Sequence, residues 1–586
     1  MRLAIPFARW RTALHDGFAR FPLVLLASGT GAGSLIYSSY LKNDQAALGQ
    51  CVRLAMTCAL GIPLFFSLRL LRERTPSLAR IPLEWLGLPL LALWWWAQPE
   101  RPFAALETYP IRWLLLLAAL HFFAAVSSYL RFGESFGFWQ FNRHLFLRFC
   151  LATLYSGVLT VGLELALLST KELFELKLDH AFANLFLLMA GCFHPAFFLA
   201  GVPRDFTALD ADTSYPRGLK AFTQFALAPL VAVYTAILYL YALKILLARS
   251  WPHGWVALPV LLLAGIGIFA ALLLHPLRTA AGEKWAPWFG RNFPRALAPL
   301  SILLLLSVRL RIVDYGFTEA RYLGLVAGFW ILAWSLIFIV RQHAGIRWIP
   351  LSLGVIAGLT AFGPWSAGAV SKASQLRRVV NLLQVHGLWA NHHAQPARTF
   401  VDLPQAERDQ LQSSLRYLFR MHGARTVAPL FATMLDVTKL ENYNAADKVL
   451  EALNVRAKKS LGSVTIHRKE ADALALAGYR QLWQFDFHDG IEHAWNPESR
   501  GDFSIGFEKG VLKFQSAADS TPQPLPFPTA VEDYHPDKVD LSPPAFTIDF
   551  SRGAHTYRLI FDEITFSPQA PGGPRIGRCT FLLLEK

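Results

Sequence analysis

Four ionisable residues lie inside long apolar stretches, where a charged or hydrogen-bonding side chain is costly and is therefore a candidate for function. Arg53 and Glu164 are each flanked by apolar residues, and the sequence allows them to pair directly or to flank a polar cavity. His121 lies near the middle of another stretch, and His194 is followed by Pro195. Histidine titrates near neutral pH and a proline frees a backbone carbonyl, so this group could relay protons or bind a solute. The alternative is structural: a buried ion pair that fixes packing, or a hydrogen-bonded histidine beside a helix kink.

A second group of charged residues surrounds the segment Asp-Tyr-Gly-Phe-Thr-Glu-Ala-Arg-Tyr at 314–322. Its members are Arg309, Arg311, Asp314, Glu319 and Arg321. Thr318 followed by Glu319 is typical of a helix start, with Thr318 in position to cap and Glu319 in position to interact with the helix dipole. The alternative is that the three arginines bind a substrate carboxylate or a lipid phosphate.

The composition indicates that these residues belong to a membrane protein. The chain has 586 residues, of which 54% are hydrophobic and 17% charged, and its mean hydropathy is +0.33. A span needs about 20 apolar residues to cross roughly 30 Å of hydrocarbon. We predict an α-helical polytopic protein with about eleven transmembrane helices. The predicted spans are 21–41, 46–69, 81–98, 109–130, 145–169, 180–201, 219–247, 254–277, 295–310, 319–340 and 348–366.

The distribution of basic residues predicts the orientation. A formal net charge of +15 could suggest nucleic-acid binding. The arginines instead gather at the ends of spans, with a bias of roughly nineteen to seven for one side, which fits the positive-inside rule. Nucleic acid is therefore not an expected partner. We predict a multi-pass protein of the bacterial inner membrane, with a cytoplasmic N-terminus and a periplasmic C-terminal domain.

The chain divides into four predicted parts. Residues 1–20 are expected to form an amphipathic interfacial helix, and 21–370 the transmembrane bundle. Residues 371–460 have helical periodicity, with Gly387 and Gly423 as predicted helix ends, and 461–586 have the alternating pattern of a small antiparallel β-module. The tail is thus expected to be a soluble α+β domain, with helices first and strands last.

Neither a metal nor a cofactor is predicted. Four of the five cysteines lie in apolar stretches and Cys579 is alone in the tail, which suits a periplasmic domain without disulfides. The acidic and histidine residues between Asp486 and His493 match no zinc-binding spacing. No nucleotide-binding loop or nucleophile elbow accompanies the serine, histidine and aspartate residues.

Several short motifs resemble a bacterial multi-pass membrane family known as domain of unknown function 4153. The first is the segment 314–322 described above. It is followed by Phe-Gly-Pro-Trp-Ser at 362–366, by Ser374-Gln375 and by Arg-Met-His-Gly at 420–423. The resemblance implies an integral membrane protein of the bacterial envelope, and it assigns neither a reaction nor a catalytic residue.

The sequence leaves three functions open. The favoured one is a non-enzymatic envelope protein that presents a periplasmic module to a protein, glycan or lipid partner. The second is a secondary transporter, in which Arg53, His121, Glu164 and His194 would converge on one cavity. The third is a membrane-embedded transferase acting on lipid-linked substrates, with Asp314 and Glu319 at its outer surface.

Overall fold

The structure is a computed structural model in which only part of the chain is described. The described residues are 15, 17–41, 44–99, 108–130, 136–248, 257–278, 280, 283–341, 345–397, 399–440, 444–457, 464–467, 479–487, 496–500, 503–508, 511–516, 521–526, 531, 546–552, 555–567 and 575–586. The predicted interfacial helix lies almost wholly outside these residues, as do His488, Asp489, Glu492 and His493 of the acidic and histidine segment.

The first part of the chain is a bundle of apolar helices. Apart from short 3-10 turns, the helices that lie wholly within its described residues are α1 Pro22–Ser38, α2 Gln45–Arg74, α3 Gly87–Ala97, α4 Thr108–Val126, α5 Phe136–Phe174, α6 Ala181–Leu199, α7 Phe206–Ala211, α8 Arg217–Ala248, α9 Ala257–Leu273, α10 Trp285–Tyr315, α11 Glu319–Val340 and α12 Trp348–Ala361. Within the described residues, seven helices are long and apolar enough to cross a bilayer: α2, α4 (extended to Tyr129), α5, α6, α8, α10 and α11.

The predicted count of about eleven spans is not confirmed. Each predicted segment contains a helix, but the helices α1, α3, α9 and α12 have only 11 to 17 residues. Each of these four helices packs against a longer one: α1 and α3 against α2, α12 against α4, and α9 against α8 and α10. They therefore belong to the same bundle as the seven candidate spans.

Small residues explain how the first two helices pack despite little amphipathic character. A Cβ atom added at Gly31 of α1 would lie 3.1 Å from the Cβ of Cys58 in α2, so the two backbones approach closely. Ser34 Oγ donates a hydrogen bond to the carbonyl of Cys51 at 2.8 Å. Association through small residues and hydroxyl groups is common between membrane helices. Gly31 and Ser34 of the predicted first span therefore belong to its contact with α2.

Four further α-helices follow the bundle in the described part of the chain. They are α13 Ala367–Val385, α14 Gln405–His422, α15 Ala424–Phe431 and α16 Ala445–Ala452. The predicted ends at Gly387 and Gly423 are confirmed, since both glycines have positive φ angles of 68° and 77°. A left-handed residue after a helix is favourable for glycine because it has no Cβ atom.

The chain separates into two compact units. The first comprises Met1–Pro396 and Gln410–Leu453, so it contains the bundle together with α13, α15, α16 and most of α14. The second comprises Ala397–Asp409 and Asn454–Lys586. The four-part division made from the sequence stays a prediction.

The second unit is rich in strands. Its strands are β3 Val401–Leu403, β4 Val455–Ala457, β5 Val464–His467, β6 Gln481–Phe487, β7 Asn496–Arg500, β8 Phe503–Glu508, β9 Val511–Ser516, β10 Gln523–Pro524, β11 Thr547–Arg552, β12 His555–Ser567 and β13 Arg575–Glu585; the short pair β1 Trp389–Ala390 and β2 His393–Ala394 belongs to the first unit. One antiparallel sheet has the order β11-β12-β13-β6, with β5 also on β12, and a second has the order β10-β9-β8-β7.

The two antiparallel sheets share one aromatic core. Trp483 of the first sheet packs against Phe503 of the second with ring centroids 4.9 Å apart, and Tyr557 packs against Phe514 at the same distance. Cys579 is fully buried in this core, and burial raises the pKa of its thiol. The unit is therefore a small β-sandwich with an inert thiol.

Candidate functional site

The motif segment forms a tight loop between α10 and α11. Gly316 ends α10 with a φ of +72°, a conformation that favours glycine. A Cβ atom at this position would lie 2.7 Å from Arg378 Cδ and 2.9 Å from Gln375 Nε2 of α13. Glycine is thus needed at position 316 for two reasons, the backbone turn and the close approach of α13.

Helix α13 satisfies the polar backbone groups of this loop. Gln375 Nε2 donates hydrogen bonds to the carbonyls of Tyr315 and Phe317, each at 3.0 Å. The Phe317 amide donates to Ser374 Oγ at 3.0 Å. These bonds explain why Ser374-Gln375 accompanies the motif, because an unpaired buried backbone group would be costly.

Glu319 is the centre of a buried polar cluster. It is only 3% exposed, although the sequence suggested a group at a helix start on the surface. Ser371 Oγ of α13 donates to its Oε1 at 2.7 Å, and Tyr417 Oη of α14 donates to its Oε2 at 2.5 Å. His422 Nε2 lies 3.5 Å from Oε1 but makes no hydrogen bond within the described residues. We call Glu319, Ser371, Tyr417 and His422 the junction cluster.

Burial controls the protonation of the two α14 side chains. It raises the pKa of Tyr417, and the hydrogen bond to Glu319 raises it further, so Tyr417 stays a donor. Burial lowers the pKa of His422, with Glu319 opposing the shift and Lys372 adding to it. His422 is consequently neutral near pH 7. Glu319 is therefore held by hydroxyl donors rather than by a cation.

The predicted capping role of Thr318 is only partly found. Thr318 occupies the N-cap position of α11, but its side chain makes no capping hydrogen bond. Glu319 does lie in the first turn of α11, where the helix dipole favours a carboxylate. The polar contacts that the sequence assigned to the helix end are instead made with α13 and α14.

The three arginines near the motif do not share one role. Arg321 donates to the carbonyls of Tyr315 and Gly316, at 3.2 and 2.8 Å, and closes the loop. Arg309 and Arg311 are exposed on α10, as is Asp314. An anion site made from all three arginines stays a prediction.

Arg53 and Glu164 have separate surroundings. Arg53 is 9% exposed, donates to the Trp95 carbonyl at 2.6 Å and stacks over the Trp95 ring at 4.7 Å. Glu164 is half-buried on α5. The direct pairing that the sequence allowed is not found among the described residues, where Arg53 instead joins α2 to α3.

The two histidines line one cavity of about 780 Å³ between α1, α2, α4, α5 and α6, which we call the histidine cavity. His121 Nδ1 lies 2.8 Å from the Leu117 carbonyl, and His194 Nε2 lies 3.2 Å from Thr153 Oγ1. Just before His194, the residues Met189–Phe193 form a π-helical turn. Such turns are frequent at functional sites. Arg53 and Glu164 are not among the lining residues, so two of the four predicted side chains come together.

A second polar network lies at the other end of the bundle and was not recognised in the sequence. Asp210, in the connection between α6 and α8, pairs with Arg74 and accepts a hydrogen bond from Tyr129 Oη at 3.0 Å. Asp212 lies 3.6 Å from Arg143. Arg20 pairs with Glu73, next to Arg74. We call this region, with Arg20, Arg74, Arg143, Asp210 and Asp212, the basic end. The signal available in the sequence was a short acidic segment between arginine-rich span ends.

Helix α10 separates the two polar regions. It follows Glu283, which pairs with Lys220 near the basic end, and it finishes at the motif loop. Its 31 residues correspond to about 46 Å at 1.5 Å per residue. The junction cluster and the basic end are therefore at opposite ends of the bundle.

Comparison with known proteins places these motifs in a family. The family model described as domain of unknown function (DUF4153) matches residues 30–388, which include most of the bundle, the motif loop and α13. The chain belongs to this family. It is also 28% identical over 273 residues to an uncharacterised protein of Pasteurella multocida (strain Pm70), a match that covers 46% of this chain and 45% of that relative. The match thus spans about half the length of the curated relative. No solved structure matches the chain.

Proposed function

We propose that this DUF4153 member is a non-enzymatic platform of the bacterial inner membrane. In this proposal the bundle anchors the chain, the N-terminus is cytoplasmic, and the β-sandwich unit is periplasmic, where it binds an envelope protein, a glycan or a lipid. The observation that carries the proposal is the junction cluster, because it fixes α13 and α14 to the bundle with buried hydrogen bonds. A fixed support is what a platform needs, whereas a transport cycle needs elements that move.

The distribution of charge supports the orientation. The basic end gathers arginines from the ends or starts of several helices, such as Arg20, Arg74 and Arg143. Positive residues are enriched on the cytoplasmic side of membrane proteins. The motif end lies about 46 Å away along α10 and would therefore face the periplasm.

The orientation can be tested with two fusions of alkaline phosphatase, which is active only outside the cytoplasm. One fusion follows Lys586, and the matched control follows Asp212 at the basic end. We expect activity from the first and none from the second, at equal amounts of protein in the membrane. Activity only from the Asp212 fusion, or from neither, would overturn the proposed orientation.

The binding role requires a separate experiment. The full chain is purified in a mild detergent beside a variant with Tyr417→Phe, which loosens the junction cluster but leaves the β-sandwich sequence intact. Mass spectrometry should find a stoichiometric protein, glycan or lipid with the wild-type chain, at a lower occupancy in the variant. Absence of any such component from both samples would contradict the platform.

The histidine cavity favours a second candidate function, a carrier for a small solute. His121 and His194 face one cavity, and its described lining residues include no aspartate, glutamate, lysine or arginine. The carried molecule would then be neutral or weakly polar, with the histidines as hydrogen-bonding groups.

Two native cysteines on α2 can distinguish the carrier from a dry packing space. Cys58 lines the cavity whereas Cys51 does not, and both are buried. Two variants, in which Cys58 or Cys51 is kept and the other four cysteines are replaced by serine, are exposed to a water-soluble maleimide in intact cells. A carrier predicts that Cys58 reacts much faster than Cys51. Equal, slow reaction of the two thiols would show that water does not enter the cavity.

A further inference from the structure

Another cavity, of about 470 Å³, lies between α4, α5, α9, α11 and α12. Its walls are almost entirely apolar and aromatic, with Trp139 and Trp330 among them. Asn142 and Arg143 contribute the polar groups, and Arg143 is the one charged side chain among the described lining residues. We call this space the Arg143 cavity. Ligand sites commonly have this character: a volume of roughly 300–1,000 Å³, apolar walls and a few polar groups that orient the ligand.

The hydrogen bonds of Arg143 are incomplete. Its side chain is 8% exposed, and its nearest carboxylate oxygen, on Asp212, is 3.6 Å away. That separation exceeds the length of about 2.7–2.9 Å typical of a charge-assisted hydrogen bond. Its Nε is buried and has no hydrogen-bond partner within the described residues. Its Nη2 lies 3.4 Å from both ring nitrogens of His144, which is a long contact. Arginine keeps its proton, so a ligand acceptor at Nε would complete its hydrogen bonds.

The surroundings place this cation where the apolar wall meets the polar end of the bundle. The Arg143 guanidinium lies 5.6 Å from the centre of the Trp139 ring. Trp139 Nε1 donates to the Leu272 carbonyl at 2.9 Å, and its ring stacks on Tyr215. Amphipathic aromatic rings are enriched at membrane interfaces. The cavity therefore has an apolar interior and a cationic group beside an aromatic residue of the type found at interfaces.

We propose that the Arg143 cavity binds an amphiphile with a single acidic head. The apolar chain would fill the space lined by α9 and α12, and a carboxylate or phosphate monoester would accept hydrogen bonds from Arg143. A wholly apolar ligand would leave the Arg143 Nε without an acceptor, and a polar solute would lose hydration against apolar walls. The inference does not depend on the platform proposal, because none of its residues belongs to the junction cluster.

The test measures binding of radiolabelled palmitate, hexadecyl phosphate and hexadecanol to the full chain in detergent micelles. The three probes share one chain length and differ in the head group. We expect palmitate or hexadecyl phosphate to bind at least about tenfold more tightly than hexadecanol, because a hydrogen bond to a charged group is worth that ratio or more. Excess inorganic phosphate should not displace them, since the apolar chain supplies much of the affinity.

Two variants distinguish the contribution of the probe's head group from that of its alkyl chain. Arg143→Gln should remove the preference for the acidic probes and leave hexadecanol binding unchanged. Gly265→Leu should weaken all three probes, because Gly265 lines the cavity and a Cβ atom there meets open space. The matched controls are Arg148→Gln, a cation one turn further along α5, and Gly157→Leu, where a Cβ atom also meets open space. Neither control residue lines the cavity.

Three results would contradict the proposal. Equal binding of palmitate and hexadecanol by the wild-type chain would overturn the acidic head. Unchanged binding by Gly265→Leu would show that the probes sit elsewhere, as annular lipid does. Displacement by inorganic phosphate alone would show a free-anion site and contradict the amphiphile. If Arg143→Gln does not fold, the comparison of head groups in the wild-type and Gly265→Leu proteins still decides the question.

Discussion

At the motif end of the bundle a buried carboxylate is held by hydroxyl groups, whereas at the basic end partly exposed carboxylates are held by arginines. Glu319 is 4% exposed at its side chain, and Asp210 and Asp212 are 30% and 31% exposed. A buried charge depends strongly on each hydrogen bond, because water cannot replace a lost partner. A pair that water reaches is worth less. We therefore expect the junction cluster to contribute more to the free energy of unfolding than the basic end does.

The largest effect is expected for Glu319→Ala. The substitution removes the acceptor of the Tyr417 hydroxyl, leaves Ser371 Oγ with only the carbonyls of its own helix, and opens a small cavity in place of the buried side chain. We expect the free energy of unfolding to fall by about 3 kcal/mol. Denaturant titration of the full chain in detergent micelles measures it. The control is Glu164→Ala, which removes a half-buried glutamate on α5 and should change the free energy of unfolding little. Equal losses in the two variants would contradict a larger contribution from Glu319.

Tyr417→Phe should have the next largest effect. It removes one donor to Glu319 while keeping the aromatic ring, and a bond to a charged group contributes about 1.5–3 kcal/mol. The control is Tyr322→Phe, since the Tyr322 hydroxyl donates to the Trp365 carbonyl at 2.6 Å on the surface. That variant should lose under about 1 kcal/mol by the same titration. A larger loss for Tyr322→Phe would reverse the expected order.

The stability of the junction should also depend on pH through His422. Because burial lowers the pKa of His422, the unfolded chain binds its proton more readily than the folded chain does. This contribution is present above the unfolded pKa of about 6.5 and is lost as the pH falls from there toward the lowered pKa.

Comparison with His422→Gln isolates that contribution. Unfolding free energies are measured from pH 7.5 to pH 5, and the wild-type chain should lose more stability than the variant across that interval. Each unit by which the pKa is lowered corresponds to about 1.4 kcal/mol. His393→Gln serves as the control, because His393 lies outside the cluster and its Nδ1 is 2.9 Å from the Pro429 carbonyl oxygen. Parallel curves for the wild-type chain and His422→Gln would contradict the lowered pKa.

The smallest effect is expected at the basic end. Asp210→Asn removes the ion pair with Arg74 but keeps a side chain that can accept from Tyr129. We expect a loss of at most about 1 kcal/mol, and a smaller one in high salt. The exposed Asp179→Asn is the control. A loss as large as that of Glu319→Ala would mean that the two ends are equally important.

Much of the fold could be predicted from local patterns. The helix ends at Gly387 and Gly423 followed from the conformational freedom of glycine, and the β6 and β12 regions from their alternating pattern. Span number was harder, because the helices at 87–97 and 348–361 are shorter than the apolar segments that contain them. A hydropathy pattern marks an apolar segment but does not show how much of it is helical.

The candidate site could be predicted only in part. The sequence motif marked the loop before α11, and the position of Glu319 at a helix start made it a candidate. Its burial did not, because Tyr417 lies 98 residues further along the chain and approaches only through the packing of α14. For the same reason, the pairing of Asp210 with Arg74, 136 residues apart, has no local signal.

A double-mutant cycle between Glu319 and Tyr417 tests most directly whether the junction cluster fixes α14 to the bundle. Unfolding free energies are measured for the wild-type chain, Glu319→Ala, Tyr417→Phe and the double variant. We predict a coupling energy of at least about 1 kcal/mol, because the two side chains share one buried hydrogen bond. Simple additivity of the two single losses would contradict it.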